Sequence, residues 1–203
     1  MKIIPIVEGY GEVDSVGILL RRLQSECGIY GFQIGRPLRR KRDELTREEG
    51  LRRSVGLARQ QDGCAGILVL FDGDDDCPRD WGPRVQEWAR REARDIPCEV
   101  VMAWREYEAW FLADVPHLLS GAVGHNDPER PRGAKEALAE LMSLESYDEV
   151  VDQPRFTARF NMAAAHRRCR SFRRMARAFS RLAAGAGFPL TDWPPPEWSR
   201  GDR

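Results

Sequence analysis

The chain has 203 residues, 42% hydrophobic and 32% charged, a balance that supports a packed core and excludes wholesale disorder. Basic and acidic residues number 32 each, so overall charge gives no argument for a nucleic-acid partner, and any such case rests on local patches. No apolar run approaches the ~20 residues that span a bilayer, and the start Met-Lys-Ile-Ile-Pro-Ile-Val-Glu turns acidic too soon for a signal-peptide core; the expectation is a cytoplasmic chain with no membrane partner.

Residues 3–7 are a short apolar run ending at Glu8-Gly9, the pattern of a buried strand and turn. Val13, Val16, Leu19, Leu20 and Leu23 repeat at helical spacing over 12–26. A second strand is predicted from Phe32 to Leu38, leading into the basic stretch Arg36–Arg42, and a helix from Thr46 to about Gln61. Residues 65–71 (Ala-Gly-Ile-Leu-Val-Leu-Phe) form the strongest strand signal, apolar on both faces as in a parallel sheet covered by helices. They end abruptly in Asp72-Gly-Asp-Asp-Asp76. A helix over 83–94 and a strand over 99–103 follow. Strands alternating with helices predict an α/β fold, an open and mostly parallel sheet flanked by helices.

Beyond Trp104 the pattern changes to helices at 106–113, 133–142 and 157–182, with a Gly/Pro/Asn/Asp loop at 121–132. This divides the chain into an α/β unit over 1–115, a helical annex over 116–187 packed on it, and an irregular Pro/Trp tail over 188–203. Five widely spaced cysteines without a Cys-x-x-Cys pair read as reduced thiols, and His117, His125 and His166 are too scattered for a metal pair. Twenty-nine of the 32 basic residues are Arg, so an Arg cluster carries little information, while Lys2, Lys41 and Lys135 stand out.

In open α/β sheets reactive groups gather beyond the carboxyl ends of the strands. Two acidic clusters fall there: Glu8 with Glu12, and Asp72, Asp74 and Asp76. Carboxylates crowded together repel one another, and divalent cations relieve that repulsion. Carboxylate and water ligands suit Mg²⁺ or Mn²⁺, as one ion or as a pair about 3.5–4 Å apart that supports phosphodiester cleavage. Any one of these acids alone is better read as a solvated turn residue. Glu106 and Glu108, just past the last strand, are candidates to complete the set. An EF-hand loop from Asp72 fails at Cys77 and Pro83, where Gly and Glu are required. A dinucleotide loop at Gly9-Tyr-Gly11 fails at Asp14, and no Walker lysine is present.

Together these residues resemble the Toprim domain of topoisomerases, primases and OLD-type nucleases, through Ile-Val-Glu8-Gly and the Asp72-x-Asp74 pair after the third strand. More narrowly, the chain resembles a stand-alone bacterial Toprim-like family of unknown function (DUF4276-like). That likeness rests on Pro-Ile-Val-Glu-Gly-x-Gly-Glu12, Phe-Asp72-x-Asp74-x-Asp76, Arg-Glu-Tyr-Glu108-Ala-Trp-Phe-Leu-Ala-Asp114 and Asp152-Gln153. The resemblance implies a Toprim-like sheet and a catalytic set of Glu8, Glu12, Asp72, Asp74 and Lys135. It implies metal ligands Glu8, Asp72, Asp74, Asp76 and Glu108. Lys135 is the lysine that would offset transition-state charge, although a helix-surface role is the plainer reading. The implied activity is Mg²⁺/Mn²⁺-dependent hydrolysis of nucleic-acid phosphodiesters in prokaryotic anti-phage defence. No ATPase motif lies in the chain, so any ATPase partner is expected as a separate subunit.

Residues 153–191 hold nine arginines and no acid. Arg167, Arg168, Arg170, Arg173 and Arg174, with Arg39 and Arg40 from the second patch, are the candidates to grip DNA or RNA phosphates; the alternative is an amphipathic helix with a solvated Arg face. Two other functions stand beside the nuclease. One is a metal-dependent phosphatase or nucleotidyltransferase using Asp72 as nucleophile, the other a non-catalytic regulatory subunit. A homo-oligomer is left open.

Overall fold

The computed structural model describes residues 1–119, 127–143 and 147–199; the first half of the expected 121–132 loop, with His125, and the last four residues of the tail lie outside them. The order begins with β1 (Lys2–Val7) and α1 (Tyr10–Glu26), then two short strands, β2 (Gln33–Ile34) and β3 (Leu38–Arg39). The single strand expected over 32–38 is thus split. Pro37 has no N–H to give the ladder, and the Gly35 N–H bonds the Ile3 carbonyl at 2.8 Å just before it.

Next come α2 (Arg42–Leu45), α3 (Glu48–Arg59), β4 (Cys64–Asp72), α4 (Pro78–Ala93) and β5 (Cys98–Ala103). The helix expected from residue 83 starts five residues earlier, with Pro78 in the first turn, where a missing N–H is harmless. Pro83 lies inside it. The strands form one all-parallel sheet in the order β2–β1–β4–β5, with β3 extending the β2 side of β1.

Alternation along the strands explains the layers. Ile3, Val7, Leu68, Leu70 and Val101 face α1 and the annex, while Ile4, Ile6, Ile67, Val69 and Phe71 face α3 and α4. The outer edge of β5 is closed by a side chain. Gln86 Nε2 donates to the Cys98 carbonyl (2.8 Å) and its Oε1 accepts from the Val100 N–H (2.9 Å), as a neighbouring strand would.

The annex comprises α5 (Ala109–Leu112), α6 (Val115–Leu118), α7 (Ala134–Leu141), α8 (Glu149–Thr157), α9 (Met162–Arg168) and α10 (Arg170–Gly185). It shares one apolar core with the sheet, including Trp110, Phe111, Phe156, Phe160, Phe172 and Phe179. The long helix expected over 157–182 is two helices, α9 and α10, while α8 ends at Thr157, the expected start. Asn161 Oδ1 caps α9 through the Ala164 N–H (3.0 Å), and the Glu129 carboxylate accepts from the Arg170 and Ser171 N–H groups (2.8 Å each) at the start of α10. The tail is less irregular than expected: Trp198 is buried in a 3₁₀ turn over 196–199, and Trp193 Nε1 donates to the Ala176 carbonyl (2.8 Å). Among the described residues no helix is long and apolar enough to cross a membrane.

Candidate functional site

β1 and β4 are adjacent and in register from Val7 opposite Leu70, so Glu8 and Asp72 emerge side by side at the carboxyl end of the sheet. Asp72 is the last residue of β4 and is buried; the Tyr107 N–H donates to its Oδ1 (2.8 Å). One turn into α1, the Glu12 carboxylate folds back onto the Gly9 N–H and is buried as well. Glu108, directly before α5, is fully buried and accepts from Gln153 Nε2 at 2.9 Å.

These acids are crowded and poorly hydrated, and their protonation reflects it. Burial, opposed by the Gly9 amide and reinforced by Glu108 and Glu8, pushes Glu12 up to about 7. Burial also raises Glu108 to about 7, against the pull of Lys135 and Gln153. Asp72 is raised well above the carboxylate range, first by burial and then by Glu12 and Glu108. Glu8 is raised by burial, with Arg42 drawing it back.

Lys135, in the first turn of α7, is the cation within this group. Burial works against its charge, but Glu108, Glu149 and Asp72 outweigh it and hold the ammonium above the ordinary lysine range. Its Nζ pairs with Glu149, and its backbone N–H donates to Glu106 Oε2 (3.1 Å). The plainer reading of Lys135 as a helix-surface residue is therefore replaced by a half-buried ion pair at the pocket.

Asp74 and Asp76 occupy a different setting. Arg42 grips both, through Nε to Asp74 (3.1 Å) and NH2 to Asp76 (2.6 Å), while also donating to the Asp72 and Gly73 carbonyls. The Asp74 backbone is left-handed, at φ 46°, and its N–H bonds the Arg105 carbonyl (2.9 Å). The three aspartates that look equivalent in sequence are thus one buried strand terminus and two turn acids that share one guanidinium.

Three contributors were not among the expected site residues. Arg42 was seen only as part of a basic run. Gln153 and Tyr147 reach the pocket because α8 crosses α1 at Gly11, where an added Cβ would stand 2.4 Å from the Glu149 carbonyl and 2.8 Å from Gln153 Oε1. The Tyr147 hydroxyl is raised by burial and by Glu108. The missed signal for α8 is Asp148, whose Oδ1 accepts from the Val150 (2.9 Å) and Val151 (3.3 Å) N–H groups as an N-cap.

The expected basic residues divide as well. Arg39 lies at the pocket, its guanidinium 3.9 Å over the Tyr10 ring and 3.5 Å from the Glu8 carbonyl, and Arg40 turns to the Arg39 carbonyl (2.8 Å). Arg168 donates to the Ala113 carbonyl (2.6 Å), Arg173 to the His166 and Arg167 carbonyls (2.8 and 2.9 Å), and Arg174 to buried Glu99 (3.2 Å). Arg168 and Arg173 tie the annex together and Arg174 ties α10 to β5, which corrects the picture of a solvated Arg face. Arg170 lines an open groove beside β5.

Among the described residues no three acidic, His or Cys side chains already stand as an ion cage. The fit to a cation rests instead on orphaned oxygens. Glu8 Oε2, Glu108 Oε2 and Gln153 Oε1 are buried without a hydrogen-bond partner, and hard oxygen donors of this kind suit Mg²⁺ or Mn²⁺.

The chain matches the family model described as a domain of unknown function (DUF4276) over residues 7–179. It matches no curated protein and no solved structure.

Proposed function

The chain belongs to the DUF4276 family, and we propose that this member is a Toprim-type, divalent-metal-dependent hydrolase of nucleic-acid phosphodiesters. The observation that carries the reading is the set of partnerless buried carboxylate oxygens on Glu8 and Glu108, next to Asp72 and Glu12. A buried carboxylate without a partner is costly, and a protein keeps several together where a cation is to be held.

In this reading Glu8, Asp72 and Glu108 would hold the ion. Asp74 and Asp76 join only if Arg42 lets go. An ion held there would supply Lewis acidity toward a water and toward the departing oxygen. The chain's own groups do the rest. Tyr107 N–H fixes the Asp72 carboxyl, and Gln153 fixes Glu108. Glu12, with its affinity for a proton raised to about 7, accepts the proton of the attacking water near neutral pH. Lys135 offsets the charge that develops on the phosphoryl oxygens, and Arg39, at the pocket rim beside Glu8, orients a backbone phosphate.

The rival with Asp72 as a nucleophile is disfavoured by its setting. Its Oδ1 is already engaged by the Tyr107 amide. An anti-phage role with a separately encoded ATPase is part of the same proposal.

The test is degradation of plasmid DNA and structured RNA by the purified chain with Mg²⁺ or Mn²⁺. Cleavage by wild type that is lost in Glu8→Gln and Asp72→Asn is the expected result. Intact substrates across a broad pH range would reject the reading.

A further inference from the structure

A second site lies on the edge of the sheet, away from the carboxylates. Between α4 and α10, over the outer edge of β5, runs a groove of about 480 Å³. That volume falls within the ~300–1,000 Å³ of small-molecule sites. Five guanidinium groups line it, from Arg79, Arg90, Arg170, Arg174 and Arg181. Three of them converge on one buried acid: Arg90 (2.9 Å), Arg174 (3.2 Å) and Arg181 (3.3 Å) all pair with Glu99. Arg79 and Arg170 have no ion-pair partner among the described residues. Five positive charges against two negative ones, Glu99 and the Glu129 carboxylate that accepts from the Arg170 and Ser171 N–H groups, leave a local positive excess in a chain whose net charge is zero.

Beside Gly82 and the polar Gln86 and Ser171, the lining has an apolar part made of Pro78, Pro83, Val100, Met102 and the half-buried Trp104. An occupant therefore needs an anionic end for the arginines and a flat, apolar body for Trp104 and its neighbours. Guanidinium forks match phosphate oxygens in pairs, and an indole face stacks on an aromatic ring. An added peptide strand is the competing occupant of a sheet edge. Here Gln86 already takes the Cys98 carbonyl and the Val100 N–H, and Arg174 approaches the Val100 carbonyl at 3.4 Å, so the main chain is not on offer.

We propose that this groove binds a nucleotide, its phosphate on Arg79 and Arg170 and its base against Trp104. The site does not depend on the hydrolytic reading, since it uses none of the pocket carboxylates. It is joined to that pocket by backbone. The Ala103 carbonyl accepts from Gly73 N–H and the Arg105 carbonyl from Asp74 N–H, both at 2.9 Å, so Trp104 sits between the two contacts that hold the acidic turn.

The experiment is calorimetric titration of the full chain with AMP and with ATP in the absence of divalent ions. Ribose 5-phosphate and a short single-stranded oligonucleotide serve as comparators. Saturable AMP binding is expected, weakened at least about tenfold in Arg79→Ala and in Arg170→Ala, with ribose 5-phosphate also at least about tenfold weaker than AMP. Both variants remove side chains that hold no ion pair, so their melting temperatures should stay near wild type, which separates lost binding from lost folding. Absence of saturable binding, or binding indifferent to both substitutions, overturns the proposal. So does equal affinity for ribose 5-phosphate, which removes the base from recognition. Tighter binding of the oligonucleotide with displacement of AMP would make the groove a nucleic-acid track and likewise overturn it.

Discussion

Gln153 Nε2 donates to Glu108 Oε1 over 2.9 Å between two buried side chains, while Gln153 Oε1 and Glu108 Oε2 are both left without partners. The neutral amide steadies one carboxylate oxygen and leaves the other for a ligand. Replacing the amide by Gln153→Leu should lower stability by about 2 kcal/mol in denaturant unfolding, the range for a buried bond to a charged acceptor. Glu108→Gln should do the opposite in cation-free buffer at alkaline pH, because it removes the buried charge. It should also weaken Mn²⁺ binding in calorimetry. Unchanged Mn²⁺ affinity in Glu108→Gln would remove that residue from the ligand set.

The raised carboxyls make stability depend on pH in a defined direction. Glu12 and Glu108 move from an ordinary value of 4.5 up to about 7 in the fold. Between those values the folded chain holds protons that the unfolded chain has released. Stability from these groups is therefore fully present below 4.5, falls as pH rises through about 7, and levels off above. A cation competes with those protons, so its benefit grows with pH. The rise in melting temperature on adding Mn²⁺ should be larger at about pH 8 than at about pH 5.5. An equal rise at both values would show that the ion does not displace these protons.

Gly11 sets how closely α8 approaches α1. A methyl group there would meet the Glu149 carbonyl at 2.4 Å, a backbone atom that cannot rotate away. Gly11→Ala should cost roughly 1–3 kcal/mol by overpacking, despite the better helix propensity of alanine. It should also displace Gln153 and Glu149 together, so Mn²⁺ affinity should fall along with stability. Wild-type stability in this variant would show that the two helices separate at little cost.

How far the site was legible in the sequence follows from where its signals lie. The apolar runs over 3–7 and 65–71 mark β1 and β4, and the acid that ends each run is local information; the parallel pairing then brings Glu8 and Asp72 together. The helix over 149–157 was hidden by Val150, Val151 and Pro154, which argue locally against helix, and tertiary packing on α1 overrides them. Lys135 stands out only as a rare lysine with no motif around it, since its surroundings come from Glu149 and Glu108, distant in sequence. The difference between Asp72 and its neighbours Asp74 and Asp76 was equally invisible, because it is made by Arg42 from thirty residues upstream.

Arg42 is where the acidic turn and the pocket trade charge. Its guanidinium serves the Asp72 and Gly73 carbonyls as well as the Asp74 and Asp76 carboxylates, and it draws the Glu8 carboxyl down. Arg42→Met strands the two carbonyls, and that loss rather than the half-exposed ion pairs should dominate a destabilisation of about 2–3 kcal/mol. For a divalent ion the substitution cuts both ways. It removes a nearby positive charge and frees two carboxylates, but it also lets Glu8 hold its proton more firmly. Where Glu8 is fully ionised the second effect vanishes, so the gain in Mn²⁺ affinity should grow as pH rises and reach several-fold in alkaline buffer. Arg42→Lys keeps the charge but cannot span four acceptors with one ammonium, and should share the loss of stability without the gain in affinity. If Arg42→Met binds Mn²⁺ no better than wild type at alkaline pH, Asp74 and Asp76 are only the anchors of the turn, and the ion set contracts to Glu8, Asp72 and Glu108.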